Sequence, residues 1–212
     1  MQNSKFIKPL IILGYSGHSF GVIEAWLEKG GIIKGYTDLR PKLINPFNIF
    51  YLGQDKILMN YLDTNTFHLA LGDILLRKKI LKNPFLNGVK FQKVISSQAN
   101  VSELALVNDG TYVARGASIN PYSIIGKNCI INTSCTIEHG VKIGNNSHIA
   151  PGAVLAGNVK VGDNVFVGAN SIIKENTCIE DNTIIGAGSV VLKNVRQNDI
   201  VAGNPSKRIG TL

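Results

Sequence analysis

The sequence predicts an α/β unit with a small parallel sheet over residues 1–95, followed by a solenoid of short parallel strands over residues 96–212. Three observations carry this. An aliphatic residue recurs at every sixth position from Val101 to Val191, sixteen times without a break. A small residue (Ala, Ser, Thr, Cys or Val) fills the fifth position of those hexads, as at Ala105, Ala117, Cys129, Ser147, Ala153, Ser171 and Ser189. Ahead of the repeat, apolar runs of strand length alternate with helix-like segments across Gly-containing turns.

The repeat has a direct physical reading. One aliphatic side chain per hexad points inward and stacks on its equivalent in the next coil. The small residue two places before it lets the chain turn a corner without a clash. Gly, Asn and Asp fill the turns, as in Gly126-Lys127-Asn128, Gly144-Asn145-Asn146 and Gly162-Asp163-Asn164, because they tolerate left-handed backbone. No coil buries its apolar face alone, so stability comes from neighbour contacts. The spacing leaves the hand of the solenoid open, and a right-handed β-helix or another solenoid also fits. Cys129 and Cys135 sit at the corner position and are read as structural. Three cysteines, an odd and sparse count, argue against a disulfide framework and fit a reducing compartment.

Leu10–Leu13 reads as a buried strand and Gly14-Tyr-Ser-Gly-His18 as a Gly-rich turn. Ser19 is placed as the cap of a helix carrying Phe20, Ile23, Trp26 and Leu27 at helical spacing, stopped by Gly30-Gly31. A strand from Ile32 to Tyr36 ends at Thr37-Asp38. A helix around Asp55–Leu62, a strand Phe67–Leu71, a loop at Gly72-Asp73 and a basic helix to Leu81 follow. The β-α-β-α-β-α order is that of a small Rossmann-like sheet, whose ligands bind at the carboxyl ends of the strands. The turn G-x-x-G-H lacks dinucleotide spacing, but its place between strand and helix suits a phosphate. Asp38, just past the second strand, is placed to accept hydrogen bonds from a ribose or base. A tight turn and a surface acid are the alternative.

The net charge is +8, with Arg77-Lys78-Lys79 the one basic run. Few aromatics interleave with the basic residues, so nucleic acid is not expected. A solvated basic surface or a small phosphorylated ligand accounts for the charge. The start Met1–Pro9 is polar, Leu10–Leu13 is too short for a signal peptide, and no stretch approaches the ~18 apolar residues of a membrane span, so a cytoplasmic location is expected.

The hexads resemble the left-handed parallel β-helix of the hexapeptide acyltransferases, in which three hexads make one triangular coil. The ending Gly203-Asn-Pro-Ser-Lys207 is similar to the segment that closes the helix beside CoA in that family. With Ile131-Asn-Thr-Ser-Cys-Thr-Ile-Glu-His-Gly140, Ser147-His148, Ala156-Gly157-Asn158, the front turn and Leu71-Gly72-Asp73, nearly the whole chain resembles the sugar acetyltransferases of the PglD and NeuD type. These serve bacterial surface polysaccharide and glycoprotein biosynthesis. The resemblance implies acetyl-CoA as co-substrate, no metal, a nucleotide-linked (UDP or dTDP) 4-amino-4,6-dideoxy sugar held by the front domain, CoA held by the β-helix, and a homotrimer with sites at its interfaces.

Residue by residue, the resemblance makes His139 the general base; because the chain departs from the family after it, Glu138, Asn132 or a water orients the ring, or the base matters less for this substrate. His148, Gly157, Ala169, Ala187, Pro205 and Lys207 become the acetyl-CoA site, and Gly14, Ser16, Gly17, His18, Asp38, Gly72 and Asp73 the sugar-nucleotide site. Imidazole suits the task, because an amine loses a proton as it attacks a thioester. One departure is Gly140, where the family often carries Asp or Glu. An aspartate there is expected to help only if the backbone is not restricted to glycine. Both histidines are read as turn-exposed, and strand alternation is expected to point Glu138 away from His139. The competing functions are a sugar or sialic acid O-acetyltransferase and a non-enzymatic sugar-nucleotide-binding trimer. A carbonic-anhydrase-type zinc site needs three histidines, and the helix has two. Serine acetyltransferases carry a helical front domain instead.

Overall fold

The computed structural model describes residues 8–212. The polar residues at the very start, on which the expectation of no leader partly rests, lie outside that range.

The front unit is a four-stranded parallel sheet in the order β3-β2-β1-β4, with β1 at Leu10–Leu13, β2 at Ile33–Thr37, β3 at Tyr51–Gly53 and β4 at Thr66–Leu69. β1 is central and wholly buried. Leu10 and Ile12 pack with helix α1 (Gly17–Leu27), while Ile11 and Leu13 pack with Leu58, Phe67 and Leu86 on the other side. Two details differ from the sequence reading. The cap of α1 is Ser16, not Ser19. Ser19 stands at the third helical position, where its hydroxyl accepts from the Ser16 N–H at 3.1 Å. β3 was not expected, because three residues at a sheet edge carry no periodic signal. The segment Asp55–Tyr61 is a 3₁₀ helix, and α2 spans Ile74–Leu81.

The second unit is a left-handed β-helix of three parallel sheets. Each coil contributes a two-residue strand to each face, and equivalent residues pair at a spacing of one coil, as in Ile131↔Ile149↔Val167↔Ile185. The first face begins at Val94–Ile95, just ahead of residue 96, and includes Tyr112–Val113, Ile130–Ile131 and His148–Ile149. The second face includes Thr136–Ile137 and Val154–Leu155. The third includes Lys142–Ile143 and Lys160–Val161. Of the sixteen hexad aliphatics, all but Val101 are buried, and Val101 packs against the same core.

The turns obey one rule. A residue with left-handed backbone recurs every six positions from Gly110 to Gly188, and in each Gly-x-Asn turn it is the asparagine that adopts it, as at Asn128, Asn146 and Asn164. Cys129 and Cys135 are fully buried at corners, where burial raises their thiols to about 11 and 12. After the last coil, Asp199–Ala202 extends the first face, and Lys207–Thr211 folds back antiparallel on it.

The front unit sits on the first face. Tyr112, Ala114 and Ile130 of that face share one apolar cluster with Leu10, Ile12, Val22 and Trp26. Glu28 at the end of α1 accepts from the Ser97 hydroxyl at 2.8 Å and completes the seam.

Candidate functional site

The carboxyl ends of β1 and β2 open into a cleft of about 480 Å³, bounded by Gly14, Thr37, Asp38, Asp55, Leu71 and Lys79 among others. Asp38 is held by three donors: the backbone N–H of Leu39 at 2.8 Å, that of Tyr15 at 3.1 Å, and the Lys42 amino group at 3.0 Å. Its carboxylate therefore braces the Gly14–Ser16 turn against the end of β2. The Thr37 hydroxyl donates to Asp55 Oδ1 at 2.7 Å, which leaves the other Asp55 oxygen as an acceptor in the cleft. Gly14 has φ +84°, and a β-carbon there would run into the Leu71 side chain, so glycine lets the two front loops close on each other.

The expected sugar-nucleotide residues separate into groups. Gly14 and Asp38 line the cleft. Ser16 and Gly17 are exposed at the start of α1, and the first N–H groups of a helix lack intrahelical partners. His18 turns inward. Asp73 caps α2 by accepting from the Leu76 N–H at 2.7 Å. Gly72 points its carbonyl at the β-helix. Thr37, Asp55 and Lys79 were missed, because single polar residues beside a strand or within a basic run carry no motif.

At the seam, His18, His68 and His148 cluster with Tyr112. His148 is not turn-exposed. It starts a strand of the first face and lies under the front unit at 8 % exposure. Its Nδ1 lies 3.2 Å from the Gly72 carbonyl, so that nitrogen carries the proton. Its Nε2 then accepts from the Asn132 amide at 3.1 Å, an orientation set because Asn132 Oδ1 accepts from the Thr133 N–H. Asn132 thus serves His148 rather than His139. Burial, then the nearby Arg77 charge, push His148 down to about 4, against the raising effect of the Gly72 carbonyl. His68 donates to the Gln92 carbonyl at 2.8 Å and also falls to about 4. His18 falls to about 3 for the same main reason, burial.

His139 lies elsewhere. Its turn joins the second and third faces, at the prism edge opposite the front unit, and its side chain is 64 % exposed. Glu138 Oε2 is 3.7 Å from its Nδ1. Strand alternation does not separate the two residues, because both lie past the end of the strand, where the chain is turning. Gly157, one coil on, lies against the ring. A β-carbon at 157 would sit 2.7 Å from Cε1 and Nε2. Gly157→Ala therefore displaces an exposed ring without disturbing the core. We expect a kcat reduced about tenfold or more at nearly unchanged melting temperature, measured by steady-state kinetics and calorimetry. Gly140 has φ +69°, and a β-carbon there would meet Asn158 Oδ1. Gly140→Asp is thus expected to cost about 1 kcal/mol of stability without raising the rate, readable by urea unfolding.

The remaining cofactor candidates run along a different edge. Ala169 and Ala187 occupy the turns between the first and second faces, one coil apart, with the Gly188 N–H donating to the Ala169 carbonyl at 2.8 Å. Exposed Pro205 and Lys207 follow in the closing hairpin, whose Gly203 carbonyl accepts from the Val190 N–H at 3.0 Å. Among the described residues no group of three or more His, Cys, Asp or Glu is placed to hold a metal, and no helix is long and apolar enough to cross a membrane.

Residues 9–83 match the family described as the PglD N-terminal domain, and residues 122–157 and 158–193 match the bacterial transferase hexapeptide (six repeats). The chain is similar to a perosamine N-acetyltransferase from Caulobacter crescentus, solved in complex with CoA and GDP-perosamine. The two are 30% identical over 96% of this chain and 98% of that one, with a TM-score of 0.90. The chain belongs to the PglD-type sugar N-acetyltransferases. Within this family it is also similar to the acetyltransferase domain of PglB from Neisseria gonorrhoeae, at 26% identity over 95% of this chain and 100% of that one, TM-score 0.89. WeeI from Acinetobacter baumannii shares the fold at 21% identity and TM-score 0.83, over 95% and 99% of the two chains. No curated protein matches the sequence.

Proposed function

We propose that this N-acetyltransferase moves the acetyl group of acetyl-CoA to the amino group of a nucleotide-linked 4-amino-4,6-dideoxy sugar, with His139 as general base. The reading rests on one arrangement: a cleft at the strand ends of the front unit, and an exposed imidazole at a β-helix edge with a glycine cleared beneath it. Residues 1–95 hold the nucleotide sugar and residues 96–212 the acetyl donor. The Neisseria PglB domain has been solved with acetyl coenzyme A and the Caulobacter enzyme with GDP-perosamine, so guanine joins uracil and thymine as a candidate base. The substrate amine attacks the thioester carbonyl, His139 takes the proton the amine loses, and the CoA thiolate departs. Glu138 steadies the imidazolium that forms. His148, Gly157, Ala169, Ala187, Pro205 and Lys207 border the donor.

The same arrangement favours a homotrimer. The front unit covers the first face, and His139 stands on the opposite edge, with the packed core between them. A sugar in the cleft of one chain is therefore served by His139 of another. The exposed outward residues Ile124 and Ile172 of the uncovered faces supply apolar surface for the contact.

The direct test is thiol release from acetyl-CoA with GDP-, UDP- and dTDP-linked 4-amino-4,6-dideoxy sugars. Release with at least one amine and none with its hydroxyl counterpart supports the reading. Assayed at sugar concentrations well below the raised KM, mixed oligomers of His139→Ala and Asp38→Ala chains should exceed the summed activity of the two variants alone, and absence of that excess removes the shared site. Asp38→Ala by itself is expected to raise the sugar KM about tenfold and leave that of acetyl-CoA nearly unchanged.

A further inference from the structure

Arg77 lies in the basic run of α2, yet it is 1% exposed and no carboxylate is among its partners. One guanidinium nitrogen donates to the Leu69 carbonyl at 2.9 Å, at the end of β4, and to the Leu71 carbonyl at 2.8 Å, in the loop that follows. The other terminal nitrogen reaches the Asn128 carbonyl at 2.5 Å, and Nε reaches Asn146 Oδ1 at 3.2 Å, both in β-helix turns. Burying a cation without a counter-ion is costly, and an apolar side chain would fill the same space at no such cost. What an apolar residue cannot supply is a rigid planar fork that grips four acceptors at once.

The gripped segment faces two ways. Leu71 packs on Gly14 and lines the cleft, and Gly72 accepts from His148. Ala70 is tied to β1 through its N–H to the Leu13 carbonyl at 2.8 Å. Beside it, the Lys78 amino group donates to Asn182 Oδ1 at 2.7 Å, further along the same asparagine column as Asn128 and Asn146. We propose that Arg77 is a positioning residue for acetyl transfer: it locks the 69–72 loop to the β-helix, so that the wall of the sugar cleft and the imidazole of His148 keep one fixed register. This rests on the acetyltransferase reading above. Arg77 touches neither substrate; it acts through Leu71 and Gly72.

The test compares wild type with Arg77→Lys, which keeps the charge and loses the fork, and Arg77→Met, which loses both. The first readout is the tautomer of His148, by long-range ¹H–¹⁵N correlation at pH 7 without substrate. Wild type is expected in the Nδ1–H form, and both variants in a mixture of forms, because the Gly72 carbonyl is released. The second readout is kcat per folded protein, expected to fall roughly 10–100-fold in both variants. A wild-type tautomer with wild-type kcat, whatever the melting temperature, makes Arg77 a fold-stabilising residue only and overturns the proposal. Should neither variant fold, Asn146→Gly removes one acceptor at a φ of +54° that suits glycine, and the same two readouts decide. The tautomer is read without turnover, so its failure is distinct from a wild type that transfers no acetyl group.

Discussion

Replacing His139 by alanine is expected to lower kcat by about 10²–10⁴-fold with little change in the KM for acetyl-CoA, because a positioned base contributes on that scale and the ring lies outside the packed core. The fold should tolerate the change: the side chain is exposed, and its polar neighbour Glu138 is exposed with it. The decisive measurement is the pH profile of kcat/KM. The variant should stay below wild type across the whole range and differ from it in the shape of the profile. Identical profiles and rates would remove His139 from the mechanism. Glu138→Gln should give a smaller loss, because it weakens only the charge facing Nδ1 across 3.7 Å.

Lowering the pH from 7.5 to 5 is expected to destabilise the protein by several kcal/mol through His18, His68 and His148. Burial holds these imidazoles neutral to about 3, 4 and 4 in the folded chain, whereas in the unfolded chain they take up protons near 6.5. Between those values the unfolded state binds more protons, so stability rises with pH. The contribution is complete above about 6.5 and is lost as the pH falls through 4, at up to about 1.4 kcal/mol per unit for each histidine. Guanidinium midpoints across this range measure it. His68→Asn keeps a donor for the Gln92 carbonyl and should flatten the slope by one histidine's share. A flat wild-type profile would mean that the seam opens to water. Because the three rings lie where the front unit meets the first face, acid should loosen that seam before it melts the coils.

The two units were unequally legible. From Val107 to Val191 every hexad aliphatic is buried and every coil pairs in register, since a six-residue period turns one aliphatic residue per short strand inward and stacks it on its equivalent in the next coil. The turns followed from Asn and Gly tolerating left-handed backbone. In the front unit β1, α1, β2, β4 and α2 were readable. The three-residue β3 and the cap at Ser16 were not, because neither leaves a pattern longer than a turn. The candidate site split along the same line: Gly14 and Asp38 are proposed from their places at strand ends and His139 from the family resemblance, whereas Asp55 and Arg77 are isolated polar residues whose partners lie far along the chain.

By itself, then, the sequence determined the β-helix, the α/β unit ahead of it, and the pairing of a ligand turn with a histidine-bearing hexad. Each of these is written in spacing that local physics enforces. Only the tertiary structure decided what became of the charges and rings. Arg77 looks like a surface lysine's neighbour until α2 docks on Asn128 and Asn146. His148 looks like a turn residue until the front unit covers its face. Asn132 looks like a partner of His139 until one hexad step carries the two to different edges of the prism. Burial and long-range hydrogen bonds depend on which faces meet, and a six-residue repeat presents three equivalent faces without saying which one will be covered.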